Sequence, residues 1–144
     1  MIAITGHYNG VGKALSMKYP NFIGFDILNG YNIDTDIEKI IAESLDCEIF
    51  INNAYFYNRQ TDLLQAWYNV HKDKNHCIVN ISSLSADPNL DINNTMPHLK
   101  EYAVHKKNLN ELSFKINQSN SICKSITIMP GIIAVSYTHL TLPT

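Results

Sequence analysis

The sequence has no long hydrophobic run and no marked excess of charge of either sign. No stretch reaches the roughly 18 consecutive apolar residues of a membrane-spanning helix, and no basic segment precedes an apolar one at the start, so we expect neither a membrane span nor a signal peptide. With 11 Lys and Arg against 13 Asp and Glu, the net charge is −2, and the lysines form no continuous basic stripe. This balance argues against nucleic acid or an anionic membrane as the main partner.

Cysteine is scarce. Cys47, Cys77 and Cys123 are odd in number, lie far apart and fall within or beside apolar segments. This pattern predicts reduced thiols in the core of a cytoplasmic protein. His71 and His76 lack a third partner at a suitable spacing, so no metal site is expected.

Short apolar segments alternate with helix-length segments, which is typical of an α/β fold with a parallel, doubly wound sheet. The polar stretch 85–95 is expected to be a loop. The predicted strands are Ile2–Thr5, Phe22–Phe25, Tyr31–Ile33, Glu48–Ile51, Cys77–Ile81 and Ser125–Ile128. The predicted helices are Gly10–Lys18, Ile37–Ser44, Thr61–Lys72 and one that carries Tyr102 and Lys106 and continues to about Ile116.

A glycine-rich turn follows the first predicted strand directly and leads into the first helix. Its glycines are Gly6, Gly10 and Gly12. Such a turn bends tightly, lets backbone amides approach phosphate and packs the helix closely on the strand, and the helix N-terminus favours an anion. The turn is therefore a candidate site for a dinucleotide, although a strand-to-helix turn without a ligand has the same pattern. The remaining candidate binding residues in the turn are Tyr8, Asn9 and Val11.

Asp26 ends the second predicted strand, about 20 residues after Gly6. A carboxylate at this point can accept hydrogen bonds from both hydroxyls of an adenosine ribose, and it repels a 2′-phosphate. The sequence therefore predicts a preference for NAD over NADP. The alternative is an ordinary solvated aspartate at a strand end.

Tyr102 and Lys106 lie four residues apart on one predicted helix and so share a face, while Ser82 and Ser83 end a strand. An ammonium group near a phenol favours the phenolate and lowers the pKa of the phenol, which makes tyrosine useful in proton transfer. The alternative is a tyrosine packed against a lysine stem, with the serines as a polar strand end or helix cap.

Five motifs, in order along the chain, resemble those of the short-chain dehydrogenase/reductase family. They are the turn Thr5–Gly12, Asn52-Asn53-Ala54, Asn80-Ile81-Ser82-Ser83, the pair Tyr102 and Lys106, and Pro130-Gly131. Each motif is weak alone, but the ordered set covers most of the chain.

The resemblance implies a Rossmann-like sheet in the order 3-2-1-4-5-6 and hydride transfer between NAD or NADP and a small alcohol or carbonyl compound. It implies that Ser83 orients the carbonyl oxygen, Tyr102 is the general acid or base, and Lys106 holds the nicotinamide ribose. It also implies a homo-oligomer built on the helices after the fourth and fifth strands. The other implied cofactor contacts are Asn53 and Ala54 at the ribose, Asn32 and Ile33 at the adenine, and Pro130 and Gly131 at the nicotinamide.

The chain departs from the family pattern in two places. Tyr55 stands where the family has glycine after Asn52-Asn53-Ala54, which crowds the cofactor channel. The segment that usually supplies a catalytic asparagine is shortened, and neither Asn58 nor Asn69 has the right spacing, so that role stays unassigned. These departures keep open a dinucleotide-binding sensor or regulatory protein that has lost turnover.

The last ten residues, Val135–Thr144, resemble a translated transposon-based sequencing adaptor and no α/β element. On this interpretation residues 1–134 form a single dinucleotide-binding domain, residues 135–144 are a non-native tail, and a C-terminal strand and helices are missing. A second alternative follows, in which the chain is an inactive fragment of a longer enzyme.

Overall fold

A five-stranded, all-parallel sheet forms the centre of the computed structural model, which describes residues 1–131. The strands follow the spatial order β2-β1-β3-β4-β5. Their bounds are Ile2–Thr5 for β1, Phe22–Phe25 for β2, Ile49–Asn52 for β3, Cys77–Ile81 for β4 and Lys124–Ile128 for β5. The prediction of an α/β fold with a parallel, Rossmann-like sheet is confirmed.

Five α-helices and three short 3₁₀-helices connect the strands in the described part of the chain. The α-helices are α1 (Gly10–Lys18), α2 (Ile37–Glu43), α3 (Arg59–His71), α4 (Ile92–Thr95) and α5 (Lys100–Gln118). The 3₁₀-helices are Ile27–Asn29, Leu84–Ala86 and Pro97–Leu99. The predicted helices agree with α1, α2, α3 and α5 to within two residues at most bounds, whereas the predicted loop 85–95 contains α4 and part of a 3₁₀-helix.

The core lies between the sheet and a layer of helices in which α3 packs against both α2 and α5. Helix α3 buries Leu63, Leu64 and Trp67 at helical spacing, and these side chains meet Phe50 and Ile78 from the central strands. Burying a large apolar side chain is worth roughly 1.5–3 kcal/mol, so this cluster accounts for much of the stability that holds the strand ends in place. Helix α1 buries only Gly12.

The predicted strand Tyr31–Ile33 does not form, so the sheet begins at β2 and the remaining strands keep the predicted order. Asn32 folds this segment into a turn instead. The Asn32 side-chain oxygen accepts from the backbone amide of Asp34 at 2.8 Å, and the Asn32 backbone amide donates to the Asp36 carboxylate at 2.9 Å. A turn held by local side-chain bonds leaves no straight edge for pairing with β2.

No helix among residues 1–131 is both long enough and apolar enough to cross a membrane. The predicted non-native tail, residues 135–144, and the domain boundary at residue 134 lie outside the described residues.

Candidate functional site

The glycine turn between β1 and α1 has the backbone shape that the sequence predicts. Gly6 and Gly10 have φ values of +71° and +54°, a region that side chains other than glycine rarely adopt. A Cβ atom on Gly12 would lie 2.1 Å from the carbonyl oxygen of Gly6, so the third glycine is needed for close packing. The Asn9 side chain makes no capping bond to α1, which leaves the amides of the first turn available to an anion.

Asn53 and Thr5 fasten this turn to the end of β3. The Asn53 side-chain amide donates to the carbonyl oxygens of Thr5 and Gly6, both at 3.1 Å. The Thr5 hydroxyl accepts from the backbone amides of Asn53 and Ala54, both at 3.0 Å. The motif Asn52-Asn53-Ala54 therefore shapes the glycine turn as well as lying beside the cavity.

Asp26 is mostly buried and its carboxylate is held by two backbone amides. One oxygen accepts from Leu28 at 3.0 Å, which caps the 3₁₀-helix Ile27–Asn29, and the other accepts from Tyr8 at 3.2 Å. The solvated alternative is therefore wrong for Asp26, which is only 8% exposed. An ionised carboxylate has about four acceptor sites, so two remain for a ligand.

A cavity of about 630 Å³ extends from the glycine turn to the ends of β4 and β5. It joins residues that are far apart in sequence, because the carboxyl ends of parallel strands meet at one edge of the sheet. The lining residues that the sequence singled out are Gly6, Asn9, Gly10, Val11, Asp26, Asn53, Ala54, Ser83, Tyr102, Lys106, Pro130 and Gly131.

Four predicted binding residues do not line this cavity. Asn32 and Ile33 line a second cavity of about 160 Å³, which shares Gly6, Asp26, Ala54 and Tyr55 with the first. Gly12 is buried in the first turn of α1, against the Gly6 carbonyl, and the Tyr8 backbone amide donates to Asp26. Asn32 and Ile33 thus share a cavity with Asp26 but not with Tyr102.

Tyr102, Lys106 and Ser83 come together at one end of the larger cavity. Burial raises the pKa of the Tyr102 phenol, and the nearby Ser83 hydroxyl acts in the opposite direction. The expected lowering of the Tyr102 pKa by Lys106 is therefore wrong for this structure. The Ser83 hydroxyl also accepts from the Ser85 amide at 3.1 Å and bonds the Ser85 hydroxyl at 2.8 Å.

Lys106 is almost completely buried on the inner face of α5, with 2% of its surface exposed. Its ammonium donates to the Gln60 side-chain oxygen at 2.7 Å and to the Ile81 carbonyl at 2.8 Å. Burial lowers the pKa of Lys106 to about 7, because a desolvated ammonium loses its hydration. In the alternative interpretation, Lys106 packs its stem against Tyr102 and extends its ammonium into solvent. The burial of Lys106 rules this out.

Replacing Lys106 with methionine should change how stability depends on pH. Between about pH 7 and the unfolded pKa near 10.5, the unfolded wild type holds a proton that the folded protein lacks. The unfolding free energy of wild type therefore rises with pH relative to Lys106→Met, by about 1.4 kcal/mol per pH unit. The variant has its largest relative advantage below pH 7.

Urea unfolding at several pH values measures this difference. The exposed neighbour Lys107 gives the control, since Lys107→Met should keep the pH dependence of wild type. A difference between wild type and Lys106→Met that is constant from pH 6.5 to 10 would contradict burial of a titrating lysine.

Tyr55 packs against the Tyr102 ring at an interplanar angle of 59° and lines both cavities. The two ring centroids are 4.7 Å apart, and the Tyr55 hydroxyl bonds Nδ1 of His105 at 2.6 Å. The Lys106 nitrogen is 5.3 Å from the Tyr55 ring centroid and 5.2 Å from that of Tyr102. Tyr55 therefore narrows the larger cavity beside the Tyr102 ring.

Gln60 was missed by the sequence analysis. Neither asparagine considered there contacts Lys106, since Asn58 bonds Asn108 and Asn69 bonds Gln65. One sequence signal could have identified it. Gln60 lies three and four residues before Leu63 and Leu64, a spacing that places a glutamine on the buried face of α3.

No protein-family model and no curated protein sequence matches the chain. Solved structures do match it. One is a short-chain dehydrogenase from Burkholderia cenocepacia J2315 in complex with NADP, with a TM-score of 0.74 and 14% identity over 99% of this chain and 76% of that one. Another is a short-chain dehydrogenase/reductase from Burkholderia phymatum in complex with NAD, with a TM-score of 0.67 and 12% identity over 93% and 67% of the two chains.

A short-chain dehydrogenase/reductase from Vibrio parahaemolyticus matches 100% of this chain and 84% of its own, with a TM-score of 0.66 and 15% identity. At such low identities the likeness establishes the fold and not the activity. The order of the strands and the backbone path from β1 to β5 are shared over nearly the whole chain. The chain therefore has the Rossmann-like fold of the short-chain dehydrogenases/reductases.

Proposed function

We propose that this protein is an NAD-dependent oxidoreductase of the short-chain family that acts on a small alcohol or carbonyl compound. One observation carries the proposal: a single cavity reaches both the glycine turn and the cluster of Ser83, Tyr102 and Lys106. A turn without a ligand, or a tyrosine and lysine that merely pack together, would not need to share a cavity.

The cavity residues suit a dinucleotide in two halves. The turn at Gly6 and Gly10, with the free amides at the start of α1, would hold the pyrophosphate. Asp26 would hold the adenosine ribose, and the smaller cavity beside Asn32 would take the adenine. Lys106 would bind the second ribose, at the end of the cavity where Pro130 and Gly131 lie.

Tyr102 is suited to act as an acid at neutral pH. Since burial raises the pKa of its phenol, Tyr102 keeps its proton and can deliver it from the hydroxyl to a carbonyl oxygen. Ser83 would orient that oxygen with its own hydroxyl, whose position is fixed by Ser85. The nicotinamide, when bound, supplies the hydride. The protonated phenol is the form of Tyr102 that carbonyl reduction requires.

Binding of reduced dinucleotides tests the proposal first. We expect NADH to bind at least about tenfold more tightly than NADPH, because the Asp26 carboxylate repels a 2′-phosphate. Isothermal calorimetry with both compounds measures the preference. Asp26→Asn removes the charge, keeps the side-chain shape, gives up one of the two backbone acceptors and should bring the two affinities closer together. Equal or tighter binding of NADPH by wild type would contradict the role of Asp26.

A screen of small carbonyl compounds with NADH, and of alcohols with NAD, tests turnover. Consumption of NADH that depends on a carbonyl compound supports the oxidoreductase. Binding without turnover supports a second candidate, a dinucleotide-binding sensor, which the packing of Tyr55 against the Tyr102 ring favours. No binding of either dinucleotide would contradict both.

A further inference from the structure

Gln60 is a polar side chain in the first turn of α3, and it is 2% exposed. Its side-chain nitrogen donates to the carbonyl oxygens of Asn52, at 2.7 Å, and Ile81, at 3.0 Å. Both partners are acceptors, so the nitrogen can point only toward them. The orientation of the amide is therefore fixed by the ends of β3 and β4.

This orientation leaves the Gln60 oxygen facing Lys106, where it accepts from the ammonium at 2.7 Å. The Ile81 carbonyl accepts a second bond from Lys106 at 2.8 Å. An ammonium has three N–H groups, so one remains for the cavity that Lys106 lines. In the neutral amine, the two N–H groups go to the same two oxygens, and the lone pair is left for the cavity.

Further hydrogen bonds hold the backbone of Gln60 and the residues around it. The Asn52 side-chain amide donates to the backbone carbonyl of Gln60 and to the side-chain oxygen of Asn80, both at 3.0 Å. The Asn80 side-chain amide in turn donates to the Ser125 hydroxyl at 2.9 Å. These hydrogen bonds connect buried polar side chains across neighbouring strands, and each bond restricts the groups that it joins. The start of α3 is thus tied to three strands of the sheet.

We propose that Gln60 is a positioning residue, which holds the Lys106 nitrogen against the end of β4 and directs its remaining valence into the cavity. The inference deepens the proposed function, because it assigns control of the lysine in that same site. It does not depend on the identity of the substrate.

A purely structural glutamine is the competing explanation, and two variants separate the two roles. Gln60→Met and the ionised form of Gln60→Glu both lose the donated bonds to Asn52 and Ile81, and in Gln60→Glu the carboxylate also faces those two carbonyl oxygens. They differ in the group that faces Lys106, which is a carboxyl in one and a thioether in the other. The other titratable groups that face the lysine are the phenols of Tyr55 and Tyr102.

The experiment is an NMR titration of the Lys106 side chain in ¹³C-lysine-labelled protein without cofactor. The signal is assigned by its absence in Lys106→Met. Relative to wild type, we expect the titration midpoint to rise by about 1–3 pH units in Gln60→Glu, because an opposite charge stabilises the ammonium. In Gln60→Met it should fall, because an acceptor of the ammonium is lost.

The matched control is Gln65→Glu, which places the same charge on an exposed position of α3 and should leave the midpoint unchanged. Equal midpoints in Gln60→Glu and Gln60→Met would overturn the proposal. If Gln60→Glu does not fold, an unchanged midpoint in Gln60→Met overturns it as well. Should both fail to fold while Gln65→Glu folds, Gln60 is a structural residue and the positioning role is rejected.

Turnover is then measured against pH for the same proteins. If the oxidoreductase proposal is right, the pH profile of kcat moves in the same direction as the titration midpoint. If the titration midpoint moves as expected but the proteins show no turnover, Gln60 still positions Lys106 and the oxidoreductase function is rejected. The two failures are therefore distinguishable.

Discussion

Tyr102→Phe is expected to lower kcat for carbonyl reduction by about 10²–10⁴-fold, which is the usual contribution of a general acid. The variant removes one hydroxyl and keeps the ring that packs against Tyr55. Because phenylalanine fills the same space, NADH binding and the free energy of unfolding should stay near wild type. Steady-state kinetics, with calorimetry for NADH, measures the two effects separately.

Tyr19→Phe is the matched control, since Tyr19 is an exposed tyrosine at the end of α1, away from the cavity. It should keep both kcat and NADH affinity. Retention of wild-type turnover by Tyr102→Phe would remove proton transfer from Tyr102. A loss of NADH binding in Tyr102→Phe would instead give the hydroxyl a binding role.

Gly12→Ala should lower the free energy of unfolding by at least about 3 kcal/mol, the upper part of the range for overpacking a close contact. The added Cβ would lie 2.1 Å from the Gly6 carbonyl oxygen and 2.6 Å from the Asn53 side-chain nitrogen. The first obstacle is backbone, so α1 has to move away from the turn to relieve it. Urea unfolding monitored by circular dichroism measures the loss.

Gly131→Ala provides the comparison for Gly12→Ala. Among residues 1–131, a Cβ on Gly131 would meet only the Leu84 side chain, at the ordinary contact distance of 3.8 Å. We expect its unfolding free energy to stay within about 0.5 kcal/mol of wild type. Equal unfolding free energies of the two variants would contradict the close packing of α1 on the glycine turn.

Local patterns along the sequence were sufficient to predict the sheet and most of the cavity wall. The strands β1, β2 and β4 are mostly apolar and are followed by glycine, aspartate or serine, so both their type and their ends could be predicted. The Tyr31–Ile33 segment was misread because its apolar residues suggested a strand. The side chain of Asn32 competes for the local backbone bonds and gives a turn.

The electrostatics of the cluster could not be predicted from the spacing of Tyr102 and Lys106. Spacing shows that both share a face of α5, but the depth of burial depends on α3 and the end of β4. Burial is the largest cause of both shifts: it lowers the pKa of Lys106 to about 7 and raises that of Tyr102. Gln60 escaped notice for the same reason, because its partners Asn52 and Ile81 are distant in sequence.

The double use of Asp26 has a consequence for any attempt to re-engineer coenzyme choice. The residue that would discriminate against a 2′-phosphate is also the acceptor for the backbone amides of Tyr8, in the turn after β1, and Leu28, after β2. An exchange to serine or glycine, made to admit the phosphorylated coenzyme, would strip both amides of their acceptor and loosen the segment that must receive it. A successful redesign has to supply substitute acceptors for those amides before it adds a positive charge.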